Sequence, residues 1–279
     1  MFSCCDFNIA MTFNESYFSI GRLDQFSYQD TFVHRLNPRA KVVCTILFLF
    51  TVISFPKYEI AALMPFFLVP VLLTTLGDIP VKFLLKKVVI VSPFAIFIGI
   101  LNPLLDTRTV AVIAGVPLSA GWVSFIAILV KFTLTISAAL LLIATTSFPG
   151  ICHALRRLGV PAIFVSQLLF LYRYLFVLME EAMRLVRARD MRSFGEHGSG
   201  MKIVVRLIGT LFLRTVERAE RIYSAMLSRG FNGDIPSVKR SPLRPVDVLY
   251  VLATVVFLAI FRLVPITGMI GSLTQELSK

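Results

Sequence analysis

The chain has 279 residues, 57% of them hydrophobic, with 28 lysines and arginines against 16 aspartates and glutamates and a net charge of +12; its mean hydropathy is +0.82. Several apolar runs approach the length a helix needs to cross hydrocarbon, and their long Leu/Phe/Ile stretches exclude the short alternating strands of a barrel, so the chain reads as an all-α, polytopic membrane protein. Four cysteines, Cys4, Cys5, Cys44 and Cys152, are too few and too scattered for a disulfide framework or a C-x-x-C zinc site.

In chain order, residues 1–30 lack the basic, apolar and small-residue regions of a secretory signal and read as a cytoplasmic N-terminal tail. A single transmembrane domain over 31–264 follows, and 265–279 form a C-terminal tail. We place five spans at 41–56, 58–76, 88–105, 118–146 and 244–264. Asn37-Pro38 supplies a start signal for the first, and Phe55-Pro56-Lys57-Tyr58 a tight exit with an interfacial aromatic and a lysine, so the first two spans form a hairpin. Lys131 lies within the fourth span, where a charge often marks a pathway. No acidic residue shares that span, so the plainer reading is a lysine that snorkels or faces packed helices.

Basic residues fix orientation, because positively charged short loops stay on the cytoplasmic side. Arg35, Arg39 and Lys41 precede the first span, Lys82, Lys86 and Lys87 lie between the second and third, and sixteen basic residues fall between 147 and 245. The other side receives Lys57, Arg108 and Lys279, with Arg262 near it. This puts the N-terminus and the 147–243 segment in the cytoplasm and the C-terminus outside, in the plasma (inner) membrane. The net charge is then what positive-inside placement produces. The sixteen basic residues alternate with seven acidic ones, as on salt-bridged helices, and this argues against a nucleic-acid partner.

Within 147–243, Thr145 through Pro161 reads as a short capped helix: Thr146 or Ser147 at its start, Pro149 in the first turn, Arg156 and Arg157 against the C-terminal dipole, and Gly159 in the left-handed closing conformation. An amphipathic, non-spanning helix follows from about 162 to 191, with Phe164, Leu168, Leu171, Leu175, Leu178, Ala182 and Leu185 on one face. Glu180 and Glu181 precede Arg184 by four and three residues, both favourable pairings. After the flexible stretch 195–200 comes a second such helix, 201–229, with Phe212, Val216, Ala219, Tyr223 and Met226 as its apolar stripe and Arg214, Arg218 and Arg221 as its basic face. Ala188-Arg189-Asp190 and Ser228-Arg229-Gly230 close the two helices. Any one of these arginines alone is better read as a solvated helix-end cation; the pairing of two motifs on two matching helices reverses this.

On three stretches the chain resembles the transmembrane T component of energy-coupling factor transporters, in its CbiQ branch: His34-Arg35-Leu36-Asn37-Pro38-Arg39-Ala40-Lys41, Thr145 through Pro161, and the paired arginine motifs. The resemblance implies a coupling subunit of an ABC-type importer, whose cytoplasmic coupling helices insert an arginine into a groove on each of two ATP-binding subunits. On that basis Ala188, Arg189, Asp190, Ser228, Arg229 and Gly230 are the ATPase-coupling residues. Asp190 stands where the family has glycine, and its carboxylate is placed to pair with Arg189 and weaken the outward contact. The resemblance also implies a separate, CbiM-like substrate-binding membrane subunit, and cobalt or nickel as cargo.

No catalytic or cofactor site is expected in this chain, and ATP is expected on the partner subunits. A Walker-type phosphate loop, a nucleophile elbow and a His-Glu-x-x-His helix are all missing from the sequence, and His34, His153 and His197 share no ligand spacing. The alternatives are a T component of a vitamin-type importer and a self-contained secondary transporter, the latter expected to show charged or broken helices converging at mid-membrane. A membrane-embedded enzyme would need His, Asp or Glu clustered at the span ends, where acidic residues are sparse.

Overall fold

Side-chain caps, prolines and glycines set the helix boundaries of this chain. The computed structural model describes residues 29, 31–56, 60–105, 109–113, 116–192, 201–233 and 244–263, so the expected tails and the glycine-rich 195–200 stretch lie outside, or almost wholly outside, the described residues. Helix α1 is Phe32–Arg35 and α2 is Pro38–Ser54. The Asn37 side chain accepts the Arg39 N–H at 3.1 Å, with Pro38 at the first helical position, where its missing N–H costs nothing. A 3₁₀ segment, Ala61–Phe67, leads into α3, Leu68–Leu76. Pro65 inside it has no N–H to donate to the preceding turn, which is why the second expected span does not open as α-helix.

Then come α4, Val81–Gly99, and α5, Leu101–Leu105; a hairpin of β1, Thr109–Ile113, and β2, Val116–Ser119; and α6, Ala120–Thr145. The strands pair antiparallel, Thr109 with Ser119 and Ile113 with Val116, in a connection the sequence did not mark as extended. The last helix among the described residues is α10, Pro245–Leu263. Described residues up to 147, together with 244–263, form one compact unit, and 148–233 form another from α7, Phe148–Arg157, α8, Ala162–Arg192, and α9, Met201–Leu227.

Among the described residues, four stretches are long and apolar enough to cross a membrane: Val81–Pro103, Gly121–Thr145, Ala162–Arg192 and Pro245–Leu263, with Ala62–Leu76 shorter. Three coincide with expected spans, and two further stretches differ from expectation in length or hydropathy. The first expected span is a 17-residue helix that carries Arg39 and Lys41 in its opening turns. Ala162–Arg192, expected to be amphipathic and non-spanning, meets the length and hydropathy of a span, because residues 162–179 carry one charge, Arg173, and the remaining charges crowd into 180–192. Helix α4 also starts at Val81, earlier than expected, so Lys82, Lys86 and Lys87 sit on its opening turns.

The core of the first unit gathers around Phe66, which is fully buried among Phe48, Val52, Phe55, Leu63, Leu134 and Leu258 from α2, the 3₁₀ segment, α6 and α10. Its ring has four aromatic neighbours: Phe55 at 5.3 Å, Phe48 at 6.1 Å, Phe257 at 6.2 Å and Phe261 at 6.4 Å, mostly edge-on, as ring quadrupoles prefer. Helices α4 and α6 approach closely at Gly99, where an added Cβ would lie 2.7 Å from the Phe125 ring. Small residues of this kind let helix backbones meet in a lipid environment, where packing replaces the hydrophobic drive.

Charged side chains in this unit serve helix ends. Lys131 donates to the Phe55 carbonyl just past α2, so it faces packed helices. Arg262 donates to Ser54 Oγ at 3.2 Å and lies 4.6 Å from the Phe55 ring centre. At the opposite end of α2, Asp247 accepts from the Asn37 N–H at 2.8 Å. Helix α2 thus has a carboxylate at its positive end, beside Arg39 and Lys41, and two cations at its negative end, where its dipole favours them.

Candidate functional site

Helix α9 ends by glycine closure. Gly230 takes a φ of 78°, the Phe231 N–H bonds to the Met226 carbonyl at 3.0 Å and the Gly230 N–H to Leu227 at 3.0 Å. These paired bonds define a Schellman stop. Arg229 therefore occupies the C-cap position, fixed by backbone geometry, and Ser228 Oγ donates back to the Ser224 carbonyl at 3.0 Å. Helix α7 ends the same way at Gly159, with φ 103° and the Val160 N–H on the Leu155 carbonyl at 3.1 Å, as the sequence predicts.

The other motif is inside a helix. Ala188, Arg189 and Asp190 lie at the end of α8, which runs on to Arg192. Arg189 Nε stands 4.0 Å from Asp190 Oδ1, the pairing expected of the carboxylate that replaces glycine, at the outer limit of an ion pair. The Arg189 side chain is only 20% exposed, whereas Ser228, Arg229 and Gly230 are all exposed.

Helices α8 and α9 run antiparallel. Ser166 Oγ donates to the Gly233 carbonyl at 3.2 Å, Phe170 meets Phe231 at 6.3 Å, and Glu181 accepts from Arg214 at 2.7 Å, so residue numbers rise along one helix as they fall along the other. The pairing does not bring the two motifs together. Arg229 lies by the start of α8 and Arg189 at its end, nineteen residues beyond Phe170, or roughly 30 Å of helix. Of the predicted pairs, Arg184 meets Glu180 at 3.5 Å and Glu181 at 3.9 Å. The Glu181–Arg214 bridge, 33 residues apart in sequence, had no local signal.

A cleft of about 480 Å³ opens between these helices, lined by Leu178, Glu181, Arg214, Glu217, Arg218 and Arg221 among others. The predicted stripe of α9 faces out: Phe212 is 65% exposed, and Val216 and Tyr223 are also exposed, as are Val205 and Ile208 on the same line. Leu171 and Leu175 of α8 are likewise exposed. Helix α7 packs on α8 by stacking Phe148 on Tyr172 at 4.7 Å. There Cys152 is buried, which pushes its thiol up to about 11, and burial together with Arg156 holds His153 below the ordinary histidine range. Among the described residues, no three His, Cys, Asp or Glu side chains gather as metal ligands.

Sequence reasoning missed the polar cluster at the start of α2. Lys41, noted only as a flanking charge, donates to the Thr145 carbonyl at 2.8 Å, and Asp247 joins Asn37 to α10. The available signal was that Asp247 is the only carboxylate in the fifth expected span.

Comparison with known proteins adds to this geometry. The profile of the family described as CbiQ, cobalt transport protein, matches residues 29–240. An uncharacterized Methanocaldococcus jannaschii protein is 28% identical, over 83% of this chain and 82% of its own length. The energy-coupling factor transporter transmembrane protein EcfT of Leuconostoc gelidum is 24% identical, over 86% of this chain and 95% of its own. The cobalt transport protein CbiQ of Salmonella typhimurium is 29% identical over 36% of this chain and 44% of its own.

Proposed function

Given that the chain belongs to the CbiQ family of cobalt transport proteins, we propose that it is the membrane coupling component of an energy-coupling factor importer. It links two cytoplasmic ATP-binding subunits to a CbiM-like substrate-capturing membrane subunit and serves uptake of cobalt or, as the lesser alternative, nickel. It performs no chemistry itself; ATP is hydrolysed on its partners.

One observation carries this reading: an antiparallel pair of long helices holds an arginine motif at each end, roughly 30 Å apart, a spacing that suits two separate docking points. A guanidinium fork can donate several hydrogen bonds to carboxylates or to exposed helix-end carbonyls, so one side chain can hold a moving interface. Arg229 is the stronger anchor, being exposed at a rigid stop, while Arg189 must compete with Asp190. The stiff helices behind the arginines pass displacement of the ATPases along as rigid-body motion.

In the same reading α8 stays on the cytoplasmic side although its length and hydropathy suffice for a crossing. Both its flanks are basic, Arg156 and Arg157 before it and Arg184 to Arg192 at its end, so a crossing would leave one basic flank outside. Its apolar face, with that of α9, then serves the capture subunit. The N-terminus is cytoplasmic and the C-terminus outside.

The test is co-expression with the ATP-binding and capture subunits of its own genome. Arg189→Glu with Arg229→Glu is expected to abolish ATPase co-purification and cobalt uptake while membrane insertion persists. Unchanged co-purification and uptake would sink the proposal, and a chain that transports alone without ATP would establish the secondary-transporter reading instead. Uptake of a vitamin in place of the metal would move the chain to the vitamin-type branch.

A further inference from the structure

Helix α4 has two unlike faces. Leu84, Val88, Ala95 and Gly99 are buried along one line, and Gly99 meets the Phe125 ring of α6 there. At roughly 100° per residue, Lys82, Lys86, Val89, Pro93 and Ile96 fall on the opposite line, and all five are exposed. The chain's own elements leave this second line uncovered, with two cations at its start and an apolar surface beyond them.

Lys82 and Lys86 stand one turn apart in the opening turns of α4. No carboxylate among the described residues forms an ion pair with either. Between residues 60 and 105 three lysines stand against a single carboxylate, Asp78. The third, Lys87, lies 5.9 Å from the centre of the Phe83 ring. Pro80 supplies no side-chain cap, so the positive end of the helix dipole adds to the field of the lysines. Charges near the starts of α2 and α10 are used within the protein. Lys41 donates to the Thr145 carbonyl at 2.8 Å, and Asp247 caps α10 by accepting the Arg244 N–H at 2.8 Å. The charges of Lys82 and Lys86 have no such use.

The dimensions are those of a lipid. From Lys86 to Ile96 is about 15 Å of helix, half of the roughly 30 Å hydrocarbon thickness and so the depth of one leaflet. We infer that the outward line of α4 is a seat for one anionic phospholipid, with Lys82 and Lys86 on its headgroup phosphate and an acyl chain along Val89, Pro93 and Ile96. A zwitterionic phospholipid brings its own cation to the phosphate and gains little from two lysines; an anionic one brings none and gains from both. The seat does not depend on the coupling role, and a chain that binds no ATPase still carries it.

The test offers the complete purified chain, in detergent micelles, phosphatidylglycerol and phosphatidylcholine of matched acyl chains, and counts retained lipid by native mass spectrometry. Phosphatidylglycerol is expected to be preferred by about twenty-five-fold, at roughly fivefold for each lysine. Lys82→Gln with Lys86→Gln should bring the preference to within about twofold, while Lys82→Arg with Lys86→Arg keeps it. Arg206→Gln with Arg221→Gln removes the same charge from exposed positions of α9 and should leave the preference unchanged. Equal retention of both lipids by the parent chain, or an equal loss in the α9 variant, overturns the inference.

Should the glutamine variant fail to insert, because lysines also orient a span, the unmodified chain decides. In phosphatidylcholine vesicles carrying a photoactivatable phosphatidylglycerol, labelling is expected on α4 around Val89 and Ile96 above the exposed line of Leu249 and Leu252 on α10. The matching phosphatidylcholine probe should label the two helices alike. Labelling of α4 no stronger with the anionic probe than with the zwitterionic one overturns the seat. So does loss of the α4 label when the capture subunit is added, which would assign this face to a protein.

Discussion

Arg229 owes its position to its neighbour. Gly230 takes a left-handed conformation that costs other residues roughly 1–2 kcal/mol, so Gly230→Val should unwind the stop and misplace the arginine without removing it. ATPase co-purification is expected to drop nearly as far as in Arg229→Ala, with the helical circular dichroism signal almost unchanged. Replacing Asp190 by glycine removes the carboxylate 4.0 Å from Arg189 and should strengthen ATPase retention a few-fold, roughly the effect of one exposed pair, as read in a salt-titrated pull-down. Cys152 offers a test of packing: with its thiol pushed up to about 11 it carries about a hundredfold less thiolate than an ordinary cysteine at neutral pH. Iodoacetamide labelling of Cys152 should be slow until the protein is denatured. At this scale the sequence was most legible where the partner is one helical turn away. Gly159 and the Arg184 pairs follow from helix arithmetic, whereas the Glu181–Arg214 contact depends on how two helices pair and has no local signature.

Among elements, the 3₁₀ segment matters most, because it delivers Phe66 to the meeting point of α2, α6 and α10. Phe66→Ala leaves a cavity among four rings. In soluble cores such truncations cost about 3–5 kcal/mol, and here the lower end is expected, since lipid is as apolar as a ring and only packing is lost. Thermal unfolding in detergent would measure it. At Gly99 the opposite error applies: Gly99→Leu would drive a side chain into Phe125 and should cost about 1–3 kcal/mol by overpacking, while Gly77→Ala, beside a backbone carbonyl, tests the end of α3. The helices were legible as apolar runs with start and stop residues. The 3₁₀ opening and the early start of α4 were not, since neither the weight of one proline nor a lysine run that stays helical can be settled from periodicity. Helix α8 joins an apolar opening to a charged end, so its length and hydropathy suit a span while its flanks suit a non-spanning helix.

For the whole molecule, acid should destabilise the fold, with His153 contributing. Burial and Arg156 hold its folded value below the ordinary 6.5, so between the two values the unfolded chain binds a proton that the folded chain refuses. Its contribution is fully present above about pH 6.5 and is lost as pH falls through the folded value. The melting temperature should fall between about pH 7.5 and about pH 5.5, and His153→Gln should flatten that fall; an unaltered slope would remove His153 from the account. Membrane class and helical architecture were open to composition because lipid permits few solutions. The placement of the arginine motifs at opposite ends of a helix pair was not, because it depends on Phe170, Ser166 and Glu181 finding residues 33 to 67 positions away.

The cap on α10 also sets a rule for transplants. A 148–240 segment grafted from a relative brings its own docking tips and is joined to the host at two junctions, where Thr145 contributes a backbone carbonyl, which any residue supplies, while Asp247 contributes a side chain. The left-hand junction should therefore tolerate almost any sequence, and the right-hand one should accept a foreign segment only when the host aspartate, or a donor segment carrying its own, closes the cap on α10.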